Sequence, residues 1–242
     1  MSAIVDPRVY IIKDRIKSVK RIICVTGFKG GIGKSMVSVA LSLSLNERGF
    51  KTGLLDLDFS GSSDHVIMGI KNIFPREEKG LIAPYAHGIK FMTPAFFSKG
   101  KAIALRGDAI TDSIKEILTV TIWEELDFLI LDMPPGINDI AFEVMKFIDN
   151  GEILAIEIPS LISRDVLRRC LEIYKDMNFK VIGIVENMAN KKNKEYYHQI
   201  FYDKNLEKSV GSVEKIMKTA FYKDVYSLSG KISSFCSLFK VY

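Results

Sequence analysis

A lysine and a serine close a glycine-rich run, Gly27-Phe28-Lys29-Gly30-Gly31-Ile32-Gly33-Lys34-Ser35. Glycines at this density let successive backbone N–H groups turn toward a single oxyanion. A lysine placed there is a point charge for β- and γ-phosphates, and the hydroxyl beside it is a ligand for Mg²⁺. An apolar stretch, residues 22–26, precedes the run, and apolar residues at helical spacing follow it over 36–46. Strand, turn and helix are the context this chemistry needs, because the helix N-terminus adds unpaired N–H groups and the positive end of its dipole. The candidate phosphate and nucleotide contacts are Gly30, Gly31, Ile32, Gly33, Lys34, Ser35 and Met36. A bare strand-to-helix turn would need neither Lys34 nor Ser35.

One position departs from the pattern G-x-x-x-x-G-K-[ST]. Its first glycine falls on Phe28, with Gly27 one place earlier. Phenylalanine disfavours the positive φ angles open to glycine. Either Gly27 makes the turn, or the loop holds nucleotide less tightly.

Carboxylates follow two further apolar runs. Residues 52–58 read as a strand ending in Asp56 and Asp58, with 59–64 as a flexible loop. Asp58 is the candidate for orienting a water at a γ-phosphate or holding Mg²⁺ through water; Asp56 reads as mainly positional. One of the pair could instead cap the next helix. Residues 126–132 read as a buried strand whose end, Asp132, stands next to a Mg²⁺ shell, and Pro134-Pro135-Gly136 makes a rigid turn after it. The candidate metal ligands are therefore Ser35, Asp58 and Asp132. A strand over 180–187 ends in Asn187, whose carboxamide can read adenine with one donor and one acceptor.

The elements that must position these groups alternate. Residues 6–20 read as a basic amphipathic helix with Val9, Ile12, Ile16 and Val19 on one face, docked on the fold rather than anchored to a surface. Strands are expected at 88–93 and 151–159, and helices at 109–120, with Asp108 as a cap, and at 163–177, capped by Ser163. Residues 70–105 are irregular, and 189–209 read as a loop plus a helix. The stretch 229–242 carries Ile232, Phe235, Leu238 and Phe239 on one face; with few basic residues it reads as packed on the core rather than on a membrane. The fold class is α/β, a mostly parallel sheet flanked by helices. Residues 1–242 are expected to form one domain: an N-terminal helix to 20, a nucleotide-binding core over 21–190, and a C-terminal helical part over 191–242.

Composition narrows the class. The chain has 242 residues and a 48% apolar fraction, which excludes extensive disorder. The N-terminus lacks the pattern of a signal peptide and no apolar run reaches transmembrane length, so a cytoplasmic protein is expected. Cys24, Cys170 and Cys236 form no C-x-x-C, and the three histidines are scattered. The net charge of +5 is uneven: residues 161–242 hold 15 Lys and Arg against 9 Asp and Glu. That third reads as a solvated surface, with a nucleic-acid or membrane partner as the weaker reading.

In order and spacing, these stretches resemble the Mrp/ApbC ATPases, deviant phosphate-loop proteins akin to MinD, ParA and the nitrogenase iron protein. The resemblance rests on Lys29-Gly30-Gly31-Ile32-Gly33-Lys34-Ser35, on Leu54-Leu55-Asp56-Leu57-Asp58, on Leu105-Arg106-Gly107 and on Trp123-Glu124-Glu125-Leu126-Asp127. It extends through Asp132-Met133-Pro134-Pro135-Gly136 with Asp139, and Gly183-Ile184-Val185-Glu186-Asn187-Met188. It implies a P-loop NTPase fold, ATP and Mg²⁺ as cofactors, slow ATP hydrolysis, and a homodimer with both sites at its interface. By position it makes Lys29 a lysine that acts across the dimer, Lys34 the lysine acting in its own subunit, and Asp58 the water-positioning residue. It also implies iron–sulfur cluster carriage or assembly, for a client that the sequence does not name. The family's C-x-x-C after Glu-Asn-Met is absent: residues 189–197 contain no cysteine. A cluster would need Cys170 or Cys236 paired across a dimer. The alternative is a ParA/MinD-like, ATP-switched partner-binding protein without a cluster.

Overall fold

The computed structural model describes residues 6–59, 61–98, 108–136, 139–148 and 150–237. The chain opens with α1 (Arg8–Ile16), β1 (Val19–Gly27), α2 (Lys34–Glu47), β2 (Thr52–Asp56) and α3 (Asp64–Ile67). Short strands β3 (Arg76–Glu77), β4 (Leu81–Ile82) and β5 (Tyr85–Ala86) lead to β6 (Ile89–Met92) and α4 (Ala95–Ser98). Then come α5 (Asp108–Val120), β7 (Thr121–Ile122), β8 (Leu126–Asp132), α6 (Asp139–Phe147) and β9 (Gly151–Glu157). The last elements are α7 (Leu161–Asp176), β10 (Lys180–Ala189), β11 (His198–Phe201), α8 (Val213–Ile216) and α9 (Ala220–Ser237).

Eight strands form one sheet in the order β11-β10-β9-β1-β8-β2-β6-β5, parallel except for the β5–β6 edge. Its strands are apolar on both sides because helices cover both faces. In β1, Ile22 and Cys24 point into one core layer with α1, α5, α6 and α7, while Ile23 and Val25 point into the other with α2, α8 and α9. Beside β1, β8 runs in register with β2, so Asp56 and Asp132 are direct neighbours at the carboxyl ends. Ligands bind at that edge of open α/β sheets.

Helix α2 is buried all round, from Val37 to Leu45, because α9 lies over its outer side. Its serines satisfy themselves on the helix backbone: Ser42 Oγ donates to the Ser38 carbonyl at 2.8 Å and Ser44 Oγ to the Leu41 carbonyl at 2.9 Å. Arg48, just past α2, clamps α9 by donating to Ser229 Oγ at 2.8 Å and to the Tyr226 carbonyl at 2.7 Å. The expected docking of α1 is borne out, with Ile12 and Ile16 buried against the layer that holds α5 and α6. The same is true of the last helix, whose Ile232 is fully buried. Among the described residues, no helix is long and apolar enough to cross a membrane.

Several boundaries differ from the sequence reading. Val19 belongs to β1, not to the α1 face, since pairing with Leu126 claims it. β2 stops at Asp56, which leaves Asp58 in the following loop. The strand expected at 88–93 is β6, a full member of the sheet, but the irregular span around it also holds the short strands β3, β4 and β5 and helix α4. Residues 189–209 hold strand β11 and a 3-10 turn (Glu207–Ser209) rather than a helix, so the C-terminal part is not purely helical. The strand forms because β10 presents an open edge, and neither periodicity nor propensity in a lysine-rich stretch announces that partner. α7 opens at Leu161, which places Ser163 inside its first turn and not at its cap. α9 begins at Ala220, nine residues before the expected start. Arg106, Gly107, Leu238 and Phe239 lie outside the described residues.

Leu228 is fully buried in the α9 layer. Leu228→Ala is expected to lower stability by about 2–5 kcal/mol, read from urea unfolding, because the site cannot collapse onto the cavity.

Candidate functional site

The glycine-rich loop leaves the end of β1 and enters α2 through Gly33, whose φ of +80° follows a φ of +77° at Gly31. Phe28 takes no positive φ, and its half-buried ring packs against the core layer of α5 to α7. Gly27 is the last residue of β1 and takes no positive φ, so the turn is made by Gly31 and Gly33 instead. A Cβ on Gly27 would stand 2.2 Å from Ile32 Cδ1 and 3.1 Å from the Ile156 carbonyl oxygen, so a side chain there would force Ile32 to shift. The Gly27 carbonyl accepts the Gly136 N–H at 2.9 Å, which ties the loop to the Pro134-Pro135-Gly136 turn.

Asn187 supports the loop from behind. It is 3% exposed, and its Nδ2 donates to the Ile32 carbonyl at 2.8 Å. A Cβ on Gly33 would come within 2.4 Å of that nitrogen. The carboxamide expected to read adenine thus has a structural duty as well.

Below the loop, three groups converge on Asp132. Lys34 Nζ lies 2.8 Å from its Oδ1, Ser35 Oγ donates to its Oδ2 at 2.7 Å, and Ser38 Oγ donates to Oδ1 at 2.8 Å. Lys34 and Asp132 are both buried, so the ion pair is desolvated, and the two hydroxyls occupy the carboxylate sites the lysine leaves open. Next to it, Asp56 Oδ1 accepts the Asp58 N–H at 3.0 Å, and its Oδ2 accepts the hydroxyls of Ser62 and Thr93. Burial and the Asp132 charge push the Asp56 carboxyl up to about 7, although Ser62, the Asp58 N–H and Lys34 oppose the shift. Asp64 is also fully buried; burial, then the charges of Asp132 and Asp56, raise its carboxyl well above the usual range.

A cavity of about 290 Å³ opens above this group. Lys29, Gly30, Gly31, Ile32, Gly33, Lys34, Ser35 and Met36 line one side, and Asp58, Gly61, Ser63, Ile67 and Pro135 the other. Asp58 is half-buried, and its Oδ1 accepts the Gly61 N–H at 2.9 Å. Lys29 is exposed at the rim. The structure so brings every expected loop residue and Asp58 to one cavity, with Asp132 beneath it and Asn187 behind it. A larger cavity of about 360 Å³ lies between Phe59, Leu81, Pro94, Phe97, Ile117 and Val120, and among the described residues its polar lining is Ser113 and Glu116, without a cation for a phosphate.

Sequence reasoning missed Ser38, Thr93 and, above all, Asp64. Ser38 sits four residues after Lys34 on a helix, a spacing that shares one face. Asp64 was assigned to a flexible loop, yet it opens α3, and its oxygen lies within 4.8 Å of those of Asp56 and Asp132. The serine- and glycine-rich stretch 59–64 reads as a loop, which hid it.

Two outcomes are expected. Gly27→Ala should lower stability by about 1–3 kcal/mol through overpacking against Ile32 and raise amide exchange across residues 27–33. With divalent cations chelated, the folded chain keeps the Asp56 proton at pH values where the unfolded chain, at 3.8, has lost it. The stability from this group is complete below 3.8 and disappears as the pH rises through about 7. Thermal midpoints of the wild type should fall relative to Asp56→Asn across that window; parallel curves would refute the assignment.

The family described as ParA: NUBPL iron-transfer P-loop NTPase matches residues 18–226. The iron-sulfur cluster carrier protein of Rickettsia conorii is 35% identical over 179 residues, covering 73% of this chain and 56% of its own length. That of Mycobacterium tuberculosis is 34% identical over 173 residues, covering 71% of this chain and 45% of its own. The chain thus spans about half the length of the curated relatives it matches. A nucleotide-binding protein from Archaeoglobus fulgidus, solved in complex with ADP, superposes with a TM-score of 0.71 at 26% identity, over 87% of this chain and 93% of that one. The cell division ATPase MinD of Pyrococcus furiosus shares the fold, with a TM-score of 0.63 at 17% identity, over 90% of this chain and 100% of its own. The loop, the Lys34–Asp132 pair and a match running through nearly the whole described sheet agree: the chain belongs to the NUBPL iron-transfer P-loop NTPase family.

Proposed function

We propose that this chain is a Mg-ATP-dependent switch that hydrolyses ATP slowly, as a cytoplasmic homodimer, in the maturation of iron–sulfur proteins. The observation that carries the reading is the convergence of Lys34 and Ser35 on Asp132 beneath a loop of open N–H groups. The backbone of residues 30–36 binds phosphate oxygens, and Lys34 exchanges Asp132 for the β- and γ-phosphates. The donor set fits Mg²⁺: Ser35 and Asp132 would hold it, with Asp58 acting through water, and it would supply positive charge against the phosphates. Asp58, on the opposite wall, orients the attacking water. Lys29, exposed at the rim, reaches the phosphates bound by a second copy. Asn187 retains an acceptor oxygen for adenine besides the donor spent on Ile32. The unpaired thiols of Cys24 and Cys170 suit a reducing compartment.

The cysteine-free stretch 189–197 favours a second reading, an ATP-switched partner-binding protein that carries no cluster. Cys24 is no substitute ligand, since burial and then the Glu152 charge push its thiol up to about 12.

ATP hydrolysis should fall by about 100- to 1,000-fold in Lys34→Ala and in Asp58→Asn, with the fold retained by circular dichroism. Hydrolysis unchanged in both variants would sink the reading. Anaerobic reconstitution separates its two forms. Iron bound by the wild type and lost in Cys170→Ser/Cys236→Ser supports cluster carriage; no iron, together with ATP-dependent co-sedimentation with DNA or anionic vesicles, supports the partner-binding form.

A further inference from the structure

Three carboxylates meet under the loop, and one of them has no partner. Single oxygens of Asp56, Asp64 and Asp132 lie within 4.8 Å of one another, and all three side chains are buried. The oxygens of Asp132 accept from Lys34, Ser35 and Ser38; those of Asp56 accept from the Asp58 N–H, Ser62 and Thr93. Both oxygens of Asp64 are closed to solvent and, among the described residues, accept no hydrogen bond. A buried carboxyl left unsatisfied is costly, so a protein that retains one has a ligand for it or a strained site. Among the described residues, Lys34 acts on Asp64 as a cation but is already held by Asp132, while Asp56, Asp58 and Asp132 act on Asp64 as like charges. One divalent cation coordinated by the three carboxylates would satisfy the Asp64 oxygens.

The dimensions agree. Ligands on opposite sides of Mg²⁺ stand about 4.2 Å apart and those of Ca²⁺ about 4.6–5.2 Å apart, so a span of up to 4.8 Å suits one ion. An all-oxygen donor set selects a hard cation of the Mg²⁺ or Mn²⁺ kind over zinc or copper. In most phosphate-binding sites Mg²⁺ takes one or two carboxylates and relies on the nucleotide's phosphates for the rest.

We propose that Asp64 completes a three-carboxylate site, with Asp56 and Asp132, that binds a hard divalent cation before any nucleotide arrives. The proposal deepens the Mg²⁺ part of the reading above, but its test contains no nucleotide. The full chain, freed of metal with EDTA and desalted, is titrated with Mn²⁺ while the free-ion signal is followed by electron paramagnetic resonance. One Mn²⁺ per chain is expected, displaced by excess Mg²⁺, with affinity lowered about tenfold or more in Asp64→Asn and in Asp64→Ser. Mn²⁺ should also raise the melting temperature of the wild type and leave that of Asp64→Asn in place. Asn keeps the shape of the side chain, so the metal-free variant should stay folded and melt close to the wild type. No Mn²⁺ uptake by the nucleotide-free wild type, or equal uptake by the Asp64 variants, overturns the proposal. ATP binding, measured separately, leaves the two readings independent: Mn²⁺ uptake without ATP binding removes the nucleotide reading alone.

Discussion

The buried ion pair between Lys34 and Asp132 is the interaction on which the site depends. Taking both charges out of water is expensive, and removing one partner of such a pair costs about 3–5 kcal/mol because the other is left uncompensated. Here the cost is met by geometry. Asp132 ends β8 in register with the end of β2 and beside β1, while Lys34 opens the helix that follows β1. Ser35 and Ser38, on the same helix, take up the remaining carboxylate sites. The lysine is thereby held directly under the loop, in a pair that an incoming phosphate can replace.

Support for the loop comes from distant chain segments. The Gly136 N–H holds the Gly27 carbonyl, and Asn187 at the end of β10 holds the Ile32 carbonyl. The loop is thus fixed at both its beginning and its middle, by the turn after β8 and by β10. A change in the Pro134-Pro135-Gly136 turn is felt at Gly27 through one hydrogen bond, the kind of contact by which a γ-phosphate biases a switch segment. The absence of a Cβ at Gly33 leaves room for the Asn187 carboxamide.

Electrostatics in the site are unbalanced toward negative charge. Asp56 and Asp64 are raised by burial and by their neighbours, and Asp64 finds no donor. The same carboxyl edge of the sheet that collects phosphate donors therefore also collects cation ligands. By contrast, residues 189–197, just after Asn187, contain no cysteine. β10 continues to Ala189 and β11 pairs with it, so that region is built as sheet and lysine-rich connection.

The sequence alone determined the local pieces: the loop with its Lys34 and Ser35, the strand ends at Asp56 and Asp132, the α/β alternation and the family. These depend on residue type and short spacing, and the chemistry of phosphate binding tolerates few substitutes there. Only the tertiary structure decided which distant groups share a volume. Asn187 behind Gly33, the packing of Phe28 against the core layer of α5 to α7, and the membership of β11 in the sheet all depend on partners more than 50 residues away or on an edge left open by packing. Asp64 shows the difference most sharply. By sequence it closes a flexible loop, and its place among buried carboxyls exists only because the ends of β2 and β8 and the start of α3 meet at one point.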